Sequence, residues 1–262
     1  MKGQELEDHI VGWLKDYVTK YSISGFVVGV SGGIDSAVVS TLCTKTGFPV
    51  LVIDLPISQS GELSDKHIDY LGENYGNVEG MRIDLTDSYN VIKDTLNLEG
   101  ENANLTLANT QSRLRMLALY SQANNRNYIV CGTGNKVEDF GIGFFTKGGD
   151  GMVDVSPIAD LMKSEVYDLG KHLGVIDEII NVAPTDGLWD GSPTDEEQIG
   201  ASYDELEWAM EWIEDHKYET SIEDIKSLSN RQREVIKIYE SRHYKNKHKM
   251  NLPPVCEIPN SK

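Results

Sequence analysis

Cysteine is scarce in this chain of 262 residues: Cys43, Cys131 and Cys256, with no CxxC spacing among them. That excludes a disulfide framework and a cysteine-built zinc site, and makes the reduced cytoplasm the expected compartment. Long apolar runs are also missing. The longest, near Phe26–Val30 and Val50–Ile53, are strand-sized and fall well short of the ~18 residues of a membrane span, so no membrane partner is expected. The opening residues, MKGQELEDHI, lack the basic-then-apolar layout of a secretory peptide. Basic charge is in deficit, with 24 Lys and Arg against 42 Asp and Glu and a formal net charge of −18. An acidic surface repels phosphate backbones, which disfavours nucleic acid as a partner and otherwise serves solubility. Two phosphate-binding signatures are absent as well: no GxxxxGK[ST] loop and no GxGxxG fingerprint occur. No Ser–His–Asp or Cys–His nucleophile is evident by motif.

Hydrophobic residues at 39% and charged residues at 25% suffice for a buried core and argue against disorder. The length suits a single domain over 1–262. Leu6, Ile10, Trp13, Leu14, Tyr17 and Val18 recur at helical spacing. The β-branched run FVVGV (Phe26–Val30) reads as a strand buried on both faces, and VLVID (Val50–Asp54), MRIDL (Met81–Leu85) and YIVCG (Tyr128–Gly132) read as further strands. Helical patterns lie between and after them, over Ala37–Gly47, Leu63–Tyr75, Asp87–Leu96, Leu105–Asn124 and Leu161–Leu173. This alternation predicts an α/β fold: a doubly wound, mostly parallel five-stranded sheet with helices on both faces, followed by C-terminal helices. Thr133–Gly151 and Asn181–Gln198 read as long polar loops, the kind that more often carry function than framework.

The strongest local signal is GVSGGIDS, Gly29–Ser36, between the first strand and its helix. Its glycines let backbone N–H groups approach an anion, and the helix N-terminus adds its dipole. Ser31 and Ser36 supply hydroxyls, and Asp35 supplies a carboxylate suited to a divalent metal. A tight turn that merely packs well is the plain alternative. The position at the end of the first buried strand favours a ligand, because ligands gather there in open α/β sheets.

SGGIDS resembles the loop of the ATP pyrophosphatases, the PP-loop or N-type superfamily, which cradles departing pyrophosphate. The resemblance implies adenylylation rather than kinase chemistry. A second block, GTGNKVEDFGIGFFTKGGDGMVDVSPIADLMKSEVY (Gly132–Tyr167), narrows it. GT, NKxE, FFTK, GDG, VD, PI and LxKSEVY are similar, in order, to the NAD synthetase family. APT (Ala183–Thr185), LWD (Leu188–Asp190), TDEEQIGASYDE (Thr194–Glu205) and HK (His248–Lys249) match further along.

By that resemblance, ATP as co-substrate meets Gly29, Val30, Ser31, Gly32, Gly33, Ile34, Asp35, Ser36, Thr133, Lys163 and Thr185. Mg²⁺ falls on Asp35 and Glu138, and deamido-NAD on Arg113, Lys147, Asp154, His248 and Lys249. Elementary chemistry is consistent with these roles. Asp35 and Glu138 are hard oxygen ligands, and Lys163 would neutralise charge on the departing pyrophosphate. Asp150, in the GGDG segment (Gly148–Gly151), is a candidate to hold ammonium or take its proton, within a clasp closing over the intermediate. Arg113 and Arg115, two apart on one helix, point different ways.

The implied reaction is amidation of deamido-NAD through an acyl-adenylate. Only about 25 residues precede the first strand and they fill one helix, so free ammonia is the expected donor. The family resemblance implies a homodimer. The rival readings are another PP-loop amidating or thiolating enzyme and an ATP-holding regulatory protein. The first lacks paired cysteines for thiolation, and the second is disfavoured by Asp35, Glu138 and Lys163 occurring together. Three departures from the family pattern stand out. Gly134 replaces a common aspartate, one extra residue lies between Glu138 and Lys147, and Asp54 stands where some relatives have a basic residue.

Overall fold

The apolar, β-branched segments do become strands, and β1 and β2 are buried along almost their whole length, as central strands of a parallel sheet are. The computed structural model describes residues 1–58, 61–184, 194–216 and 222–259. Its strands are β1 (Gly25–Gly29), β2 (Val50–Asp54), β3 (Val78–Arg82) and β4 (Tyr128–Val130). They form one parallel sheet in the order β3-β2-β1-β4. The helices are α1 (Gly3–Lys20), α2 (Ile34–Lys45), α3 (Glu62–Asn74), α4 (Thr86–Leu96) and α5 (Ala103–Arg126). A π-helix (Val137–Ile142) comes next, then α6 (Lys163–Leu173), α7 (Asp177–Ile180), α8 (Asp195–Ile199), α9 (Tyr203–Asp215), α10 (Ile222–Ser227) and α11 (Asn230–Met250).

Side-chain alternation along the strands divides the core. Phe26 and Val28 of β1 face α1, α2 and α6, where Leu14, Val18, Val38, Leu42, Val166 and Leu169 are buried with them. Val27 faces the other side with Leu51 and Ile53, against Leu114, Met116 and Leu119 of α5 and Tyr89 of α4. A third cluster joins Val137 and Ile142 of the π-helix to Leu206 and Ala209 of α9 and to Val235, Ile236 and Tyr239 of α11.

Two expectations are corrected. Among the described residues the sheet has four strands, not five. The fifth position is reduced to a single parallel bridge between Cys131 and Val155, with Asp154 N–H donating to Val130 O and Gly132 N–H to Val155 O. β4 is only three residues long, so a neighbour has almost nothing to pair with. β3 lies earlier than the expected Met81–Leu85, because its register with β2 runs from Val50↔Val78 to Asp54↔Arg82.

The chain winds from β1 outward to β2 and β3, then returns to place β4 on the other side of β1. Strand order therefore reverses between β1 and β4. Their C-terminal ends open the crevice where doubly wound folds bind ligands. The Ser31–Ser36 loop leaves β1 at this crevice and the Gly132–Glu138 segment succeeds β4. The two strongest motifs of the sequence meet there.

Candidate active site

The loop is built for close backbone approach. Gly32 has φ +83°, and a β-carbon there would press on Leu63 at 2.9 Å. Ser36 Oγ donates to Gly33 O at 3.0 Å and accepts from Ser31 N–H at 3.2 Å. Gly33 N–H donates to Ser31 Oγ at 3.3 Å. Gly33 is the N-cap of α2 and no side chain caps it, so the first turn from Ile34 presents its N–H groups and dipole to an anion. Gly29 and Val30 sit further back. Gly29 ends β1 with Leu119 at 3.2 Å from where its β-carbon would be, and Val30 N–H is committed to Ile53 O at 2.9 Å. Their placement serves sheet and helix packing.

Lys163 is the first residue of α6, and its residue surface is 2% exposed. Its ammonium donates to Asp35 Oδ2 at 2.6 Å and to Glu138 Oε1 at 2.9 Å. Asp35 comes from the first turn of α2 and Glu138 from the π-helix. Burial opposes all three charges. At Lys163 the two carboxylates outweigh it and hold the ammonium protonated, above the usual lysine range. At Asp35 burial prevails over Lys163 and raises the pKa. At Glu138, Lys163, Tyr203 and Asn135 outweigh burial and lower it.

Two residues not singled out from the sequence complete the network. Asn135, fully buried, donates to Asp35 Oδ1 at 3.1 Å and accepts from Glu138 N–H at 3.1 Å. Tyr203 of α9 donates to Glu138 Oε1 at 2.6 Å, and Lys163 Nζ stands 4.7 Å from its ring centroid. Both lie inside matched motifs, NKxE and TDEEQIGASYDE. Their places inside those motifs were the available signal.

The π-helix lies in the stretch that carries two sequence departures: Val137–Ile142 overlaps the span with the added residue between Glu138 and Lys147, and a π-turn is the geometry that accommodates one extra residue. The Asp139 carboxylate fills the side-chain space above Gly134, where a β-carbon would collide with it. Burial, together with Glu138, Asp150 and Asp35, pushes Asp139 up to about 8. Asp54 is the third departure. It is buried at the end of β2, takes a hydrogen bond from Ser64 at 2.9 Å, and pairs with Arg82 of β3 at 3.3 Å.

Of the residues expected at the acceptor end, Arg113, Lys147, His248 and Lys249 converge, at α5, the 145–150 segment and the end of α11. Arg113 Nε donates to Lys147 O, and Lys147 Nζ to His248 O, each at 3.3 Å. Lys249 Nζ donates to Gly143 O and Phe145 O at 2.6 and 2.7 Å. Asp150 Oδ1 accepts from Ser112 Oγ at 2.6 Å and from Thr146 N–H at 3.0 Å, which latches the GGDG segment to α5. Arg115 points elsewhere, to Leu55 O at 3.0 Å, as the spacing predicts. Asp154 is fixed against β4, accepting from Val130 N–H at 2.8 Å and Tyr120 OH at 3.3 Å. Thr133 lies just beyond β4 and is half-buried beside the crevice. Thr185 lies outside the described residues.

Among the described residues no group of three or more His, Cys, Asp or Glu side chains is arranged to hold a metal. Asp35 and Glu138 nonetheless converge on one point, and the Lys163 ammonium stands at it as a stand-in cation. Two hard carboxylates aimed at a shared cation suit Mg²⁺, with water and phosphate oxygens supplying the remaining positions.

A parallel doubly wound sheet with an anion-cradling loop and a carboxylate–lysine cluster at its switch point defines an ATP-using α/β enzyme. Comparison with known proteins is more specific. The family model described as NAD synthase matches residues 6–253. An NH(3)-dependent NAD(+) synthetase of Alkaliphilus oremlandii is 38% identical over 261 residues, covering 96% of each chain. One of Syntrophomonas wolfei is 35% identical over 263 residues, covering 99% of this chain and 98% of its own. Among solved structures, NMN synthetase from Francisella tularensis superposes with a TM-score of 0.83 at 33% identity over 100% of both chains. The NH3-dependent NAD synthetase of Campylobacter jejuni gives 0.78 at 25% identity over 98% of this chain and 100% of its own. The chain belongs to the NAD synthase family.

Proposed function

We propose that this chain is a carbon–nitrogen ligase of NAD biosynthesis that amidates deamido-NAD with ammonia, driven by cleavage of ATP to AMP and pyrophosphate. The observation that carries this reading is the Lys163 ammonium held between Asp35 and Glu138, beside the bare N-terminus of α2. In the first step the nicotinate carboxylate oxygen attacks the α-phosphorus, the α–β bridging bond breaks, and pyrophosphate leaves. The Ser31–Ser36 loop and the first turn of α2 hold the phosphates, with Thr133 and Thr185 adding hydroxyls. Asp35 and Glu138 would hold Mg²⁺, which when bound draws negative charge off the phosphates. Lys163 then turns from the carboxylates to the departing pyrophosphate.

In the second step ammonia attacks the acyl carbon and AMP leaves with its electron pair, while the nitrogen gives up one proton. We assign that proton to Asp150, a carboxylate held by Ser112 and Thr146. Arg113, Lys147, Asp154, His248 and Lys249 bind and orient the acceptor, which is largely a matter of positioning. We place the contact of a homodimer, which the family resemblance implies, at the exposed apolar residues Val91 and Leu96 on α4 and Leu105 and Leu117 on α5. We read the chain as one domain acting in the cytoplasm. No described helix is long and apolar enough to cross a membrane.

The test traces an oxygen. Deamido-NAD labelled with ¹⁸O in its carboxylate should hand one label to AMP, read by mass spectrometry; unlabelled AMP alongside amide product would rule out the acyl-adenylate. The full-length resemblance to a structure named NMN synthetase favours a second acceptor, the deamido mononucleotide. The ratio of kcat/KM for the two acceptors decides between them, and the dinucleotide is expected to be preferred.

A further inference from the structure

Tyr203 is 6% exposed and packs in the third core cluster, a place that phenylalanine would fill equally well. Its polar contacts exceed what packing requires. The hydroxyl lies 2.6 Å from Glu138 Oε1 and 3.2 Å from Asp195 Oδ2. The ring carries the Lys163 ammonium at 4.7 Å. One side chain therefore touches both the acid and the cation of the site.

Glu138 needs such a partner. It sits on a π-helix, a geometry with weaker internal hydrogen bonding than an α-helix. Its Oε1 takes both Lys163 and Tyr203, and Asn135 adds a side-chain hydrogen bond to the same carboxylate. Tyr203 is itself held firmly. Its N–H donates to Glu196 Oε1 at 3.0 Å, Ser202 and Glu205 form a capping box at the start of α9, and Arg231 forks onto Glu205 with two contacts of 2.7 Å. The rigid α8–α9 corner thus sets the orientation of a carboxylate on a softer element.

We propose that Tyr203 is a positioning residue for the divalent cation: its hydroxyl fixes Glu138 so that the carboxylate faces the cation position it shares with Asp35, and its ring seats Lys163 between the two acids. The proposal rests on the reading of Asp35 and Glu138 as metal ligands. Partners of this kind typically change metal affinity or activity 10- to 100-fold when removed, roughly, because they orient ligands rather than bind the ion.

The experiment is Mn²⁺ binding monitored by electron paramagnetic resonance, with the full chain in molar excess over α,β-methylene-ATP. Tyr203→Phe keeps the ring and loses the hydroxyl. It should weaken Mn²⁺ binding about tenfold, raise the Mg²⁺ concentration needed for half-maximal turnover, and regain most of kcat at saturating metal. Tyr203→Leu removes the ring too and should stay low in kcat at any metal concentration. In a double-mutant cycle, adding Tyr203→Phe to Glu138→Gln should weaken Mn²⁺ no further, since the hydroxyl acts through that carboxylate.

Mn²⁺ affinity within twofold of the parent in Tyr203→Phe, or additive losses in the cycle, would overturn the proposal. So would failure of both Tyr203→Phe and Tyr203→His to fold, because the position would then be structural first. Unchanged Mn²⁺ binding in Asp35→Asn and Glu138→Gln would instead remove the ligand reading beneath it. The two failures are therefore distinguishable.

Discussion

The two ends of the site are built differently. At the ATP end, Lys163, Asp35, Asn135, Glu138 and Tyr203 form a continuous network whose contacts run from 2.6 to 3.1 Å, with Lys163 only 2% exposed. At the acceptor end, Arg113 and Lys147 are exposed and rest on backbone carbonyls at 3.3 Å. The first end holds its charges against one another before any substrate arrives. The second presents exposed cations, which under the proposed function would take their counter-charges from the ligand. This contrast matches the chemistry. Charge stabilisation of a departing pyrophosphate gains from preorganised groups in a dry site, whereas a large, mobile dinucleotide needs groups that can adjust.

The sharpest way to break the contrast is Lys163→Met. Removing an electrostatic stabiliser of developing charge costs about 10²–10³ in kcat, and we expect the upper part of that range with the acceptor's KM little changed. Leaving two partly buried acids unpaired should also lower stability, by about 3 kcal/mol, read from urea denaturation.

A second effect lies behind the loop, in the α2–α3 seam. His67 is fully buried, with Ser40 Oγ 2.9 Å from Nε2, and burial pushes its pKa down to about 4. A base whose folded pKa lies below its unfolded value, about 6.5, is neutral in the fold and binds its proton more readily when unfolded. Stability from this group is therefore complete above about pH 6.5 and is lost as pH falls towards 4, by about 3 kcal/mol in all. His67→Gln should flatten the urea midpoint against pH over that window, relative to the parent.

At the acceptor end the effects are smaller. Lys147→Met and Arg113→Met should each raise the acceptor's KM about tenfold, the loss of one charge-assisted contact, and leave the KM for ATP within about twofold. A fall in ATP affinity from either change would erase the distinction between the two ends. Smallest in catalytic effect is Leu117→Lys, on the exposed face of α5, which should weaken a homodimer in sedimentation velocity while leaving the ATP half intact.

Much of this was legible in the sequence, for physical reasons. A strand buried on both faces is a continuous β-branched run, so β1 and β2 stood out, and SGGIDS marked the crevice because only glycine permits that approach. β3 was displaced because its end is set by pairing with β2 rather than by its own composition. The fifth strand shrank to a bridge because β4, three residues long, offers a neighbour almost nothing to pair with. Asp35 and Glu138 were named together as holders of one cation and Lys163 as a partner of pyrophosphate, but the Lys163 ammonium bridging the two acids was not read, since residues 35, 138 and 163 meet only through the fold. Tyr203 was hidden for the same reason: its role depends on which oxygen its hydroxyl reaches. The compensation of Gly134 by Asp139 needed the π-helix, and one extra residue does not declare a π-turn in advance.

The most direct test of the account is a quantitative assay of products from ATP, Mg²⁺, ammonium and deamido-NAD, run beside Asp35→Asn and Lys163→Met. The account predicts AMP, pyrophosphate and NAD in equal amounts, dependent on both ammonium and acceptor, and lost in both variants. ADP in place of AMP, or undiminished NAD formation in both variants, would contradict it.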